Sequence, residues 1–123
     1  MHLRAHFVSL LLLFLSYSDL AAAEDVQYLG FYATKRLATF APRPQYPKEA
    51  RAHYVTGEGV FTLRVRRDGS VSRVAVQRST GHAILDKSAL EAFRRWRFVP
   101  GATKPKVAIP MIFTMARPSD SKT

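Results

Sequence analysis

Between Val60 and Arg67 apolar and polar residues alternate, with Phe61, Leu63 and Val65 on one side of an extended chain and Thr62, Arg64 and Arg66 on the other. A period of two is that of a strand with one buried and one solvated face. Asp68-Gly69 follows, and the glycine accepts the positive φ that a tight hairpin turn demands. The return strand is expected over Val71–Ser79, with Val74 and Val76 in phase with Ser72; Val71 falls out of phase and points to a bulge near Ser72-Arg73. Further along, the period becomes helical. Leu85, Ala89, Ala92, Phe93 and Trp96 recur at spacings of three and four, while Lys87, Glu91 and Arg95 share the opposite face. Asp86 is the expected N-cap, cations gather at Arg94, Arg95 and Arg97 where the helix dipole favours them, and Pro100-Gly101 ends the run.

Ala108–Met115 reads as a last strand that opens with Pro110, and a proline without an N–H to donate places that strand at a sheet edge. Upstream, the run from Pro42 to Pro47 is stiff and extended and marks a domain boundary. Pro47 then opens a short helix over Lys48–Tyr54, and Gly57 and Gly59 punctuate the entry to the first strand. Glu24–Ala41 mixes aromatic and polar residues without a clear period and reads as an N-terminal extension, either packed on the domain or mobile. Arg117–Thr123 is a polar tail. The order helix, strand, strand, helix, strand predicts an α+β domain, a three-stranded antiparallel sheet packed against two helices.

The beginning of the chain has a different character. Met1–His6 is short and basic, Phe7–Leu15 is apolar except for Ser9, Ser16–Leu20 turns polar, and Ala21-Ala22-Ala23 are small. This is the order of a secretory signal, with cleavage expected after Ala23, and Asp19 interrupts the apolar run well short of the roughly 20 residues of a membrane span. An uncleaved anchor is the alternative. In total, 123 residues hold one domain and exclude a barrel enzyme, a dinucleotide-binding domain or a kinase. The chain has no cysteine, which excludes a disulfide scaffold, a thiolate metal site and a cysteine nucleophile. Lys and Arg number 19 against 9 Asp and Glu, a net charge of +10 that favours anionic surroundings.

Candidate chemistry is sparse. His53 and His82 stand beside turns and outside any metal-ligand spacing, and no glycine-rich phosphate loop is present. Ser79, Thr80, His82 and Asp86 crowd into one loop, where turn and capping roles account for them better than a catalytic triad. No enzyme, metal or cofactor is expected; a binding module is. Arg64, Arg66, Arg73 and Arg78 form either a solvated face that discourages edge aggregation or a basic patch. Phe61, Phe93 and Trp96 fall in phase with the core, which together with export argues against nucleic acid as a partner.

Several segments stand in a recognisable order: Gln45-Tyr46-Pro47 with Ala50-Arg51, Gly57 and Gly59-Val60, Arg67 to Val71, Val74 to Gly81, Leu85 to Ala92, Arg95 to Pro100, and Ile109 to Phe113. Over about Pro42–Ala116 the chain resembles the C-terminal periplasmic domain of TonB-family energy transducers. The resemblance implies a periplasmic module that captures a short N-terminal peptide of outer-membrane receptors by adding it as a strand to a sheet edge, in connection with energy-coupled transport. Carried over residue by residue, the peptide-binding positions are Arg43, Pro44, Gln45 and Tyr46 together with Ile109, Met111, Ile112, Phe113, Thr114 and Met115. Transducers of this family also have a membrane helix that meets an inner-membrane motor and a long proline-rich spacer. Here 18 residues separate the leader from the domain and reach at most roughly 60 Å, so binding is expected without transmission of work. The other readings are an anchored small transducer in the inner membrane that engages motor proteins, and a basic envelope protein docked on peptidoglycan or lipopolysaccharide. Self-pairing into a homodimer through the edge strand is a further possibility.

Overall fold

The computed structural model describes residues 25–115. The expected leader, its cleavage after Ala23 and the polar tail over 117–123 lie outside the described residues. In chain order the elements are β1 (Gln27–Tyr28), α1 (Phe31–Leu37), β2 (Ala38–Phe40), α2 (Lys48–Ala52), β3 (Gly57–Val65), β4 (Val71–Arg78), α3 (Ala83–Arg94), β5 (Arg97–Phe98) and β6 (Lys106–Phe113). One sheet has four strands in the order β1-β6-β3-β4, and β2 pairs with β5 in a second, two-stranded sheet. β3 lies antiparallel to both β4 and β6, whereas β1 runs parallel to β6.

The expectation of three strands and two helices is therefore corrected to four plus two strands and three helices among the described residues. The additions come mostly from residues 27–40, which fold onto the domain. Phe31 of α1 meets Trp96 edge-on at 5.7 Å, Val99 N–H donates to Leu37 C=O at 2.9 Å, and Lys104 Nζ forms an ion pair with Asp25 at 2.7 Å. Neither β1 nor β5 is long enough to have a sequence period. Each exists because a partner strand is already in place.

The hairpin turns where Asp68-Gly69 stands. Gly69 has φ +91 and donates to Arg66 C=O at 2.9 Å, Arg66 N–H donates to Ser70 C=O at 2.8 Å, and Asp68 Oδ1 accepts from Ser70 N–H at 2.9 Å. The register shifts between Arg64 and Val65, opposite Ser72, so the extra residue lies at the expected bulge. Gly57 and Gly59 lie inside β3 rather than before it. A Cβ at Gly59 would stand 2.6 Å from Arg78 C=O, so the neighbouring chain crosses too close for any side chain. The second helix stops at Ala52, short of the expected Tyr54. Tyr54 takes a left-handed φ of 54, donating to Arg51 C=O at 3.3 Å while Val55 N–H reaches Ala50 C=O at 2.8 Å, a Schellman ending.

The core lies between α3 and one face of the sheet. Phe61 and Leu63 of β3, Val107, Ile109 and Phe113 of β6, and Leu85, Ala89 and Phe93 of α3 are buried together with Trp96 and Phe98. The alternation of β3 and the helical stripe of α3 meet as the sequence predicts. Asp86 is not the N-cap of α3. The helix starts at Ala83 after His82, and Asp86 turns back to accept from Ser79 Oγ, from Thr80 N–H at 2.9 Å and from Thr80 Oγ1 at 2.7 Å. Its carboxylate serves the preceding loop instead of the free N–H groups of the helix.

Candidate functional site

Hydrogen bonding decides which way each residue of β6 faces. Leu29 N–H donates to Ala108 C=O at 3.1 Å, on the β1 side, and Val65 N–H donates to Pro105 C=O at 2.8 Å, on the β3 side. Main-chain groups alternate along a strand, so Pro110 and Ile112 present theirs to the outer edge and Ile109, Met111 and Phe113 present theirs to β3. β1 covers this edge only opposite Val107 and Ala108. Beyond Ala108 no other described strand pairs with the edge, because the chain leaves it at Gly30 to form α1. The expected edge position of Pro110 thus holds for the second half of β6 and not for the first. From Ile109 to Phe113 the edge offers the carbonyls of Pro110 and Ile112 but a single donor, Ile112 N–H, since proline has none.

A groove of about 700 Å³ runs along this open edge. Its floor is β6 from Pro110 to Phe113 with Thr114 just beyond, one wall is Phe31 and Tyr32 of α1, and the other is Arg43, Pro44 and Tyr46. Each wall is tied down. Thr34, fully buried, donates from Oγ1 to Gly30 C=O at 2.8 Å and fixes the start of α1. Trp96 Nε1–H donates to Pro42 C=O at 3.0 Å, Ser88 Oγ–H donates to Gln45 C=O, and Tyr46 O–H donates to Val55 C=O. The Tyr46 ring stands edge-on to Phe113 at 5.6 Å, with the Arg51 guanidinium 5.8 Å from its centre. Prolines at 42, 44 and 47 hold the segment extended, so its ring-bearing residues face the groove at little entropic cost.

The structure brings together Arg43, Pro44, Tyr46, Met111, Ile112, Phe113 and Thr114 of the residues expected from the sequence. Ile109 is fully buried in the core and does not line the groove. Gln45 is exposed outside it, its carbonyl held by Ser88, and Met115 lies beyond its lining. Phe31, Tyr32 and Pro110 are lining residues that the sequence reading missed. Two of them sit in the segment without a period; their aromatic character was the available signal. Tyr32 is 70% exposed and Ile112 59%, so the groove presents apolar surface to solvent. Its one charged lining residue is Arg43, at the rim.

The loop at Ser79–His82 gathers around Asp86. Burial pushes the Asp86 carboxyl up, but hydrogen bonds from Ser79 and Thr80 outweigh it and hold the group below its ordinary range. An ionised acceptor held by three donors is a clasp for the loop and not a base awaiting a proton.

Residues 42–115 match the family described as Gram-negative bacterial TonB protein C-terminal. The chain is 34% identical over 79 residues to Protein tonB2 of Pseudomonas aeruginosa, covering 60% of this chain and 29% of that protein. It is 28% identical over 71 residues to Protein TonB of Escherichia coli K12, covering 58% and 30%. The chain thus spans less than a third of the length of these curated relatives. The solution NMR structure of the Pseudomonas aeruginosa TonB CTD shares the fold, with a TM-score of 0.58 at 20% identity over 65% of this chain and 86% of that one. The Helicobacter pylori TonB-CTD gives 0.50 at 26% identity, over 60% and 71%. The domain is a non-enzymatic one, and, with residues 42–115 matched to the family in sequence, the chain belongs to the TonB C-terminal family.

Proposed function

We propose that this domain captures an extended peptide, the N-terminal segment of a TonB-dependent outer-membrane receptor, as a strand added to β6 in the periplasm. One observation carries the reading: the stretch of the β6 edge after Ala108, which no described strand covers, runs along the apolar groove. Main-chain bonds to that edge supply affinity, and alternate side chains entering the groove supply selectivity. The edge is rich in acceptors, so the peptide donates two N–H groups to the carbonyls of Pro110 and Ile112 and accepts one bond from Ile112 N–H. Side chains that enter between Tyr32 and Pro44 are apolar, and a carboxylate at one end pairs with Arg43 at the rim.

The match to the TonB C-terminal family supports the periplasmic setting, and the reading takes the first 23 residues as an export leader cleaved after Ala23. The test is an NMR titration of the exported protein with synthetic peptides from receptor N-termini. The reading expects shifts at Ile112, Thr114 and Tyr32 and slowed amide exchange at Ile112. Binding that leaves the exchange of Ile112 unchanged refutes strand addition.

A further inference from the structure

The two sides of the four-stranded sheet end differently. Along β4 the pairing with β3 slips twice, between Val60 and Phe61 and between Arg64 and Val65. Bulges on an edge strand discourage the addition of another strand. β6 has no such slip: it pairs with β3 in one register from Gly57 opposite Phe113 to Arg64 opposite Lys106. Eight regular residues offer a template of roughly 27 Å for an added strand.

β1 takes part of that length away. It lies opposite Val107 and Ala108, and Leu29 N–H occupies Ala108 C=O at 3.1 Å. A strand of two residues is weak by itself, yet this one is fixed at both ends. Before it, Gln27 Oε1 accepts from Lys104 N–H at 2.8 Å, beside the ion pair of Asp25 with Lys104. After it, Leu29 packs on the core, and Gly30 C=O accepts from Thr34 N–H at 2.9 Å and from Thr34 Oγ1 at 2.8 Å. The family match begins at residue 42, so β1 and α1 lie outside it.

We propose that residues 25–30 are a stop that fixes the length and register of the captured strand, an inference that rests on strand addition to β6. A peptide pairs along Ile109–Phe113, about 17 Å, and turns off the sheet beside Ile109 because Leu29 and Gly30 hold the next place on the edge. Main-chain groups alternate, so Ala108 turns its N–H and C=O to the same side as Ile112 does. Those two groups are withheld from the peptide. Gln27 and Leu29 do not line the groove. They are positioning residues that favour a short extended segment over a long one.

The test uses synthetic receptor peptides of about five residues and of about nine, the longer extended at one end or at the other. Each is titrated into the exported protein and into Gln27→Ala plus Leu29→Ala, which removes the anchor to Lys104 and the apolar contact of the stop. Isothermal titration reads affinity, and amide exchange reads Ile112 and Leu29. The advantage of the longer peptide is expected to be about tenfold greater in the variant, the effect of two added main-chain bonds. Contacts made beyond Thr114 are common to both proteins and cancel. In the unsubstituted protein every peptide slows exchange at Ile112 and leaves Leu29 protected. An equal advantage in both proteins overturns the stop. So does faster exchange at Leu29 when a longer peptide binds the unsubstituted protein, a readout that needs no variant, since β1 is then displaced. With Ile112 slowed, either result overturns the stop alone. If no peptide slows Ile112, strand addition itself fails and the stop falls with it.

Discussion

Ile112→Pro tests strand addition at its narrowest point. Ile112 N–H points to the outer edge, outside the β3 ladder, and it is the one donor between Ile109 and Phe113 because residue 110 is already proline. The substitution leaves every hydrogen bond between β3 and β6 in place. Its side chain is mostly exposed, so the expected loss of stability is about 1 kcal/mol or less. A bound peptide, by contrast, loses the one hydrogen bond it accepts from this edge, keeping the two it donates, and turns a carbonyl onto ring methylenes. A buried acceptor left unpaired costs about 1–3 kcal/mol, which raises Kd by about 5- to 150-fold. Isothermal titration with a receptor N-terminal peptide reads the affinity, and thermal denaturation shows that the fold survives. Ile112→Thr is the companion variant: it keeps the N–H and the strand propensity and loses only aliphatic contact, so its effect is smaller. If Ile112→Pro binds like the unsubstituted protein while Tyr32→Ala does not, the groove recognises side chains only and strand addition is wrong.

Phe31→Ala opens the groove wall and uncovers Trp96, the single tryptophan, whose emission is expected to shift to the red; the cost is about 1–3 kcal/mol by urea unfolding. Gly69→Ala drives a Cβ to 1.9 Å from Phe98 C=O at φ +91, so a loss above about 2 kcal/mol is expected, with refolding yield and Tm both reduced. Tyr54→Gly removes the left-handed strain that ends the second helix and stabilises by about 0.5–1 kcal/mol in the same unfolding assay. Asp86 and Asp68 are both held below their ordinary range, Asp86 by hydrogen bonds that outweigh burial and Asp68 by hydrogen bonds from Ser70. Their folded forms bind protons more weakly than the unfolded chain, so their contribution is present above the ordinary aspartate range and is lost as the pH falls through it. Unfolding followed against pH shows this acid loss, and Asp86→Asn makes it shallower.

The elements legible in the sequence are those whose cause is local. The alternation of Phe61, Leu63 and Val65, the turn at Asp68-Gly69 and the helical stripe from Leu85 to Trp96 each repeat a pattern over several residues, and each forms where the pattern stands. Pro110 marked an open edge correctly for its own half of β6, because a missing N–H is a property of the residue itself. Of the positions carried over from the family resemblance, Arg43, Pro44, Tyr46, Met111, Ile112, Phe113 and Thr114 lie together along the groove, whereas Gln45, Ile109 and Met115 do not line it. What stayed hidden depends on partners far away in the chain. Gln27 and Tyr28 become a strand only because Val107 and Ala108 offer an edge 80 residues later, and Ala38–Phe40 only because Phe98 and Arg97 stand opposite. Strands of two or three residues carry no period, so no local reading finds them. Asp86 was misassigned for a related reason: a carboxylate near a helix start serves whichever donors the fold brings closest, and here those belong to Ser79 and Thr80. Local pattern alone dictates the hairpin, the long helix and the apolar faces that join them. Tertiary structure decided how much of the β6 edge stays open and which aromatics wall it, because both are set by where a distant segment runs out of edge to pair with.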